Sequence, residues 1–435
     1  MKKTVLITIW LMAILTAQSS DQLFTEGKKL FEDGFLAEAE SKFLAVVQAD
    51  PAAAEAHFFL SKVYLRQYDL DKTRESLRNA IEYDKANQEY RDDFDHLNQL
   101  ASSMANAMRS LNGGDSDGAI AKFEKVIEDY PEFTAAGMYY TGIGLMRSNQ
   151  TSEASKYFRE SMNFDPNYER PRVALKGLTD RAYNEGNQLL RRGDYEGAER
   201  FFNEVLQLNP GYYQAYFQLG YLSTKLGDYE LALANYKKTV DMNPGYAKGW
   251  FALGLTYQRN SDYDNALKAL DSAVDADPTY AKALVQKAKI LMKQGDYKSA
   301  EGAYNRAIQV DPSYSTAYAD LGQIYVSQER WEDATSALST ATALDAKLYK
   351  AWFLLAQSGN ASGDCDNAKE AARSALDAKS NYAPAFYELG VAEVCLGNKT
   401  AALASFENAR KDRSWRKNAE YEIDKIKNPE KYKNP

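Results

Sequence analysis

Apolar positions along the chain follow the period of an α-helix, in short segments separated by polar turns. Trp250, Leu253 and Tyr257 are spaced by three or four residues, which places them on one face of a helix. After a short turn, Ala266 and Leu270 form the same kind of face on a second segment. The pattern predicts a pair of short helices that pack on each other through these faces.

The residues around these two segments supply start and stop signals. Ser261 lets the first helix end, and Asp262 is placed to cap the second by accepting a backbone N–H. Pro278 cannot continue the second helix, so the chain turns there and starts again. Gly254 and Ala266 are small, which allows the two helices to approach each other closely. The unit is therefore a helix, a turn, a second helix and a loop.

This unit recurs at a constant period of 34 residues in the middle of the chain. Each closing proline follows Asn or Asp and is followed two residues later by tyrosine; these prolines are Pro210, Pro244, Pro278 and Pro312. Four near-copies of one turn precede them, beginning at Gly193, Gly227, Ser261 and Gly295. A fixed period of this length is typical of stacked helical repeats.

The spacing resembles that of the tetratricopeptide repeat, in which an aromatic residue, Leu-Gly, Tyr, Ala, Phe and Pro occur in order. The matching residues are Trp250, Leu253, Gly254, Tyr257, Ala266, Leu270 and Pro278, with Leu in the place of Phe. The same register extends outward to about eleven units. The resemblance implies an all-α, right-handed superhelical solenoid of about eleven helix pairs, closed by a C-terminal capping helix.

The period slips twice, which divides the chain. We expect units 1–4 in residues 18–168, with an insertion near 88–99, and units 5–11 in residues 169–414. The inserted stretches near 88–99 and 169–178 keep an apolar face, so both are predicted to extend a first helix at its N-terminus. Residues 415–435 are predicted to form the capping helix and a frayed tail.

Residues 1–17 have the features of a signal peptide. Lys2 and Lys3 precede an apolar run from Val5 to Leu15, and Ala17 is a small residue suited to cleavage. The run is shorter than the ~20 residues that cross a bilayer, which favours a cleaved signal, with an uncleaved anchor as the alternative. We expect an exported protein, periplasmic and without membrane insertion once the signal is removed.

Charge and composition argue against several classes of partner and chemistry. The formal net charge is −8, and loss of the two lysines in the leader makes it more negative, so a nucleic-acid partner is not expected. The chain has only two histidines, His57 and His96, which we interpret as a packing residue and part of a solvated acidic face. The Asp115–Asp117 stretch lacks calcium-loop spacing. We expect no enzyme activity, cofactor or metal.

The family resemblance implies that first helices line a concave groove, which binds a partner protein or extended peptide. Aromatic residues supply contact area, amides can bond a peptide backbone, and lysines can meet carboxylates. Val285 is also expected on this surface. The predicted groove residues are Tyr183, Asn187, Gln214, Phe217, Tyr221, Lys248, Phe251, Lys282, Lys289 and Lys350.

Two functions remain open at this point. The first is a non-catalytic scaffold or adaptor of the cell envelope, which could also bind a second copy of itself. The alternative is an accessory subunit of a polysaccharide export or modification system, which binds a glycan or an enzyme.

The two cysteines are predicted to form a disulfide. Cys365 stands where other units place an aromatic turn residue, and Cys395 lies near the end of the next unit's first helix. An even cysteine count in an exported protein favours oxidation, while two buried free thiols are the alternative.

Overall fold

The computed structural model describes residues 19–432, and these residues form helices joined by short turns, with no strand among them. The predicted signal peptide at 1–17 lies outside the described residues. The chain divides into two compact units, one ending at Pro210 and the other beginning at Gly211. The predicted boundary between residues 168 and 169 separates the fourth repeat from the fifth, and it stays a prediction.

The first unit contains five helix pairs. Its helices are α1 (Ser20–Glu32), α2 (Leu36–Ala49), α3 (Ala54–Arg66), α4 (Leu70–Tyr83), α5 (Gln88–Asn112), α6 (Ser116–Asp129), α7 (Thr134–Arg147), α8 (Thr151–Phe164), α9 (Glu169–Arg192) and α10 (Tyr195–Leu208). A short 3-10 turn at Pro131–Phe133 leads into α7.

The second unit contains six helix pairs and one further helix. Its helices are α11 (Tyr213–Leu226), α12 (Tyr229–Met242), α13 (Ala247–Arg259), α14 (Tyr263–Ala276), α15 (Ala281–Gln294), α16 (Tyr297–Val310), α17 (Ser315–Ser327), α18 (Trp331–Leu344), α19 (Tyr349–Ser362), α20 (Cys365–Ala378), α21 (Ala383–Cys395), α22 (Lys399–Ala409) and α23 (Arg416–Lys427). Within each unit, most helices pack most closely on their pair partner and then on the next pair. The predicted array of helix pairs is confirmed.

The turns inside the pairs have the predicted geometry. Gly227 ends α11 in the left-handed conformation, with a φ of 83°. Asp228 then caps α12, because its carboxylate accepts the backbone N–H of Leu231 at 3.0 Å. Ser261 takes the place of this glycine in the next repeat and adopts a φ of 59°, which costs energy for a residue with a side chain.

The small residue in each first helix marks the closest approach within a pair. A Cβ atom on Gly254 would stand 3.0 Å from Cγ of Leu270 on the second helix. On Gly390, it would stand 2.6 Å from the ring of Phe406, which is fully buried. Glycine therefore lets a large side chain of the second helix pack directly on the backbone of the first.

The two insertions form N-terminal extensions of first helices, as predicted. They make α5 and α9 25 and 24 residues long. In the first extension, Tyr90 and Leu97 are buried against Phe58 and Leu77 of the second repeat. This first extension therefore belongs to the core of the first unit and is not a linker.

The C-terminal helix covers the last pair. Ala419 and Ile423 of α23 join Phe406 in one buried cluster. The prediction of a frayed tail is wrong for residues 428–432, because Lys431 and Tyr432 both donate hydrogen bonds to the carboxylate of Asp424, at 2.7 Å and 2.6 Å.

The structure joins Cys365 and Cys395 by a disulfide, with their Cα atoms 6.1 Å apart. Cys365 is the first residue of α20 and Cys395 is the last of α21. The bridge therefore links the tenth repeat to the eleventh, as the sequence predicted. Among the described residues, no helix is both long and apolar enough to span a membrane.

Candidate functional site

The first helices of the sixth and seventh repeats, α11 and α13, carry four of the predicted groove residues into one cavity. Phe217 and Tyr221 are one helical turn apart on α11, and Lys248 and Phe251 are nearly a turn apart on α13. All four line an open cavity of about 660 Å³. Its volume lies within the range of ligand pockets, about 300–1,000 Å³.

Aromatic rings build the walls of this cavity and are themselves held by the next repeat. The ring of Phe217 contacts Tyr246 edge-on, with centroids 5.3 Å apart. Phe251 meets Tyr280 in the same way, also at 5.3 Å. Tyr246 and Tyr280, which follow the closing prolines Pro244 and Pro278, therefore each support the groove aromatic of the preceding repeat. This fixes the rings before any ligand arrives.

Three cations lie at the cavity, and no carboxylate lines it. The ammonium of Lys225 is 5.3 Å from the ring centroid of Tyr221. Arg259 donates a hydrogen bond of 3.1 Å to the Tyr229 hydroxyl. Lys248 is exposed and pairs with no acidic side chain in the described part of the chain. The cavity therefore combines apolar walls with positive charge.

Two tyrosines of the lining stay neutral at physiological pH. Burial raises the pKa of Tyr236, although a hydrogen bond with Thr224 acts in the opposite direction. Burial also raises the pKa of Tyr280, with smaller contributions from Asp277 and Tyr314. The positive charge of the cavity is therefore not offset by phenolate groups.

Other predicted groove lysines differ in their availability. Lys289 on α15 forms an ion pair with Asp320 of the next first helix, at 3.4 Å. Asp320 also accepts a hydrogen bond from the hydroxyl of Tyr304 at 3.2 Å. Lys282 on α15 and Lys350 on α19 are exposed. Part of the predicted positive surface is therefore used to join neighbouring repeats.

The remaining predicted residues lie apart from the cavity lining. Gln214 is half-buried on α11, and Tyr183 and Asn187 are half-buried on α9 of the first unit. The ring of Tyr183 packs near Phe202 within its own repeat, with centroids 5.9 Å apart. The assignment of Val285 to the groove is wrong, because this residue is only 3% exposed and belongs to the core of the second unit.

Lys225 and Arg259 were not predicted as groove residues. Lys225 lies four residues after Tyr221, and Arg259 lies four residues after Leu255, so each is on the same helical face as a groove position. That spacing was the signal available in the sequence.

The two histidines have structural partners. His57 is 7% exposed, stacks on Tyr83 with centroids 5.7 Å apart, and its Nε2 lies 3.0 Å from the carbonyl of Pro51. His96 lies 2.6 Å from the carboxylate of Glu132. In residues 19–432, no group of three or more His, Cys, Asp or Glu side chains is placed to hold a metal.

Comparison with known proteins accounts for this architecture. Models of the tetratricopeptide repeat match more than half of the chain, at residues 24–89, 99–132, 183–247, 224–281, 251–315 and 291–357. The chain belongs to the tetratricopeptide repeat family. Its repeats therefore form the kind of array in which each helix pair packs on its neighbours.

Individual relatives share this repeat but little beyond it. A DnaJ homolog subfamily C member 7 homolog of Dictyostelium discoideum is 33% identical over 75 residues, which are 17% of this chain and 14% of that protein. The solved structure of YrrB, described as a tetratricopeptide repeat protein with an unusual peptide-binding site, is 20% identical and has a TM-score of 0.40, covering 43% of this chain and 96% of its own. The C-terminal part of a repeat protein from Cytophaga hutchinsonii is 17% identical with a TM-score of 0.46, covering 55% and 97%.

Proposed function

We propose that this protein is a non-catalytic scaffold of the cell envelope that binds an extended segment of a partner protein. The cavity between α11 and α13 is the anchor of the binding surface. The observation that carries the proposal is the composition of this cavity, whose walls are aromatic, whose rim is cationic and whose lining contains no carboxylate.

This composition favours a particular kind of ligand. Rigid aromatic walls provide a large contact area at a low cost in side-chain entropy, which is typical of residues that dominate binding energy. Lys225, Lys248 and Arg259 are complementary to carboxylates, so the bound segment should combine apolar side chains with acidic ones.

The envelope location has two independent supports. The sequence of residues 1–17 has the charge and apolar pattern expected of an export signal. The bridge between Cys365 and Cys395 is of a kind that persists in oxidising compartments and is rare in a reducing cytosol. Both features agree with a scaffold that works outside the cytoplasm.

Site-specific photo-crosslinking in living cells tests the proposal. The photoreactive residue p-benzoyl-phenylalanine would replace Leu255, which lines the cavity, and in a matched variant Lys268, which is exposed on the second helix α14. We expect a discrete crosslinked protein from position 255 and none from position 268, in the envelope fraction. Equal crosslinking from both positions, or none from position 255, would contradict the proposed site.

A further inference from the structure

A second cavity lies on the other side of the helix pairs, between the ninth and tenth repeats. Its walls are α18 and α20, which are second helices, and its floor is the first helix α19. Its volume is about 690 Å³, again within the range of about 300–1,000 Å³ for ligand pockets. None of the predicted groove residues lines it.

Two tryptophans face this cavity. Two contacts hold the side chain of Trp352. Its Nε1 donates a hydrogen bond of 3.0 Å to the carbonyl of Ala346, and its ring packs on Ala371 and Ala372. Trp331 is the first residue of α18 and is also half-buried. The sixth, seventh and eighth repeats carry tyrosine at the position of Trp331, so the larger indole is particular to this place.

Short hydroxyl side chains line the same cavity. At the positions of Thr335 and Ser339, the sixth repeat has Leu233 and Lys237, and the seventh has leucine and aspartate. The hydroxyls of Thr335, Ser339 and Ser374 make no hydrogen bond within the described part of the chain, whereas the nearby threonines of α18 bond to backbone carbonyls. These hydroxyls are therefore available to a ligand.

The charged side chains of the lining are all acidic. No lysine or arginine lines the cavity, which disfavours phosphate and other anions. Two of its three carboxylates are already engaged: Asp364 accepts a hydrogen bond of 2.7 Å from Asn367, and Glu370 pairs with Arg373 at 3.2 Å. The cavity thus offers flat apolar surfaces together with neutral groups that both donate and accept hydrogen bonds.

We propose that this cavity binds a short neutral oligosaccharide. The apolar face of a sugar ring stacks on an indole, and its hydroxyls exchange hydrogen bonds with Thr335, Ser339 and Ser374. A cationic side chain would also stack on an indole and would be attracted to the three carboxylates of the lining, so it is the competing ligand that the test has to exclude.

The test uses the full mature chain and a panel of neutral tri- and tetrasaccharides from glucose, mannose and N-acetylglucosamine, titrated calorimetrically at millimolar concentrations. We expect at least one to bind. Thr335→Leu places a larger, apolar side chain in the cavity. Two other repeats carry leucine at this position, so the variant should fold. Its affinity for the sugar should be lower by about tenfold or more. Trp331→Ala should also lower the affinity, through loss of stacking.

Lys248→Glu in the first cavity is the matched control and should leave sugar binding unchanged. Circular dichroism checks that each variant keeps its helix content. Failure of every sugar to bind the wild-type chain would overturn the proposal. Unchanged affinities of Thr335→Leu and Trp331→Ala for the sugar would also overturn it. Binding of tetramethylammonium or a lysine tripeptide, but not of the sugars, would do the same.

Discussion

Removal of the disulfide should loosen the last repeats and leave the others intact. Cys395 is exposed, so Cys395→Ser breaks the bridge without leaving a buried cavity. The bridge spans a sequence separation of 30 residues. A closed loop of that length lowers the entropy of the unfolded chain enough to stabilise the folded state by about 3.6 kcal/mol in the chain-entropy model. Because each repeat contacts mainly its neighbours, the loss should fall on the tenth and eleventh repeats.

Urea denaturation with two local fluorescence reporters measures this effect. Trp415, whose ring lies 5.1 Å from that of Tyr387, reports on the eleventh repeat, and Trp250 reports on the seventh. In each reporter protein the other tryptophans are replaced by phenylalanine. Cys395→Ser should lower the unfolding midpoint seen by Trp415 and leave that of Trp250 nearly unchanged. An unchanged Trp415 midpoint would show that the bridge does not stabilise the eleventh repeat. An equal fall of the midpoint at both reporters would show that the loss of stability is not confined to the last repeats.

Two further variants test the packing of the last two repeats. Gly390→Ala should destabilise the protein by about 1–3 kcal/mol in urea denaturation, because overpacking against the buried ring of Phe406 cannot relax freely. Burial raises the pKa of Glu388 from 4.5 to about 7, against the opposing effect of its hydrogen bond from Asn360. The folded state therefore keeps a proton that the unfolded chain releases, so the unfolding free energy should fall by roughly 3 kcal/mol as the pH rises through this window. Glu388→Gln should remove this fall in unfolding free energy with pH. If the fall persists in the variant, another titrating group causes it.

The repeat itself could be predicted from the sequence because local signals determine it. The apolar period, the turn glycine and the capping aspartate act within a few residues, and the structure places them as expected. The extended helices α5 and α9 were also predictable, since both inserted stretches keep the apolar period of a helix, although Val173 on α9 is 65% exposed. The disulfide could be predicted because the register brings Cys365 and Cys395 to neighbouring repeats.

The parts that sequence reasoning missed depend on the distance between neighbouring repeats. Val285 occupies a groove position by register but is buried in the core of the second unit. The ion pair between Lys289 and Asp320 crosses from one first helix to the next, and its formation depends on their separation. The cavity beside Trp331 exists because several side chains are short, and a pattern of apolar positions does not reveal such a gap.

Whether the partner binds in the cavity between α11 and α13 can be measured with charge-reversed variants. The protein crosslinked from position 255 would be purified and its affinity for the mature chain measured by calorimetry. Lys225→Glu with Lys248→Glu should raise the Kd at least about tenfold, which corresponds to about 1.4 kcal/mol. The control pair, Lys268→Glu with Lys298→Glu on second helices, should leave the Kd unchanged. Equal affinities of the two variants would show that the partner does not bind in this cavity.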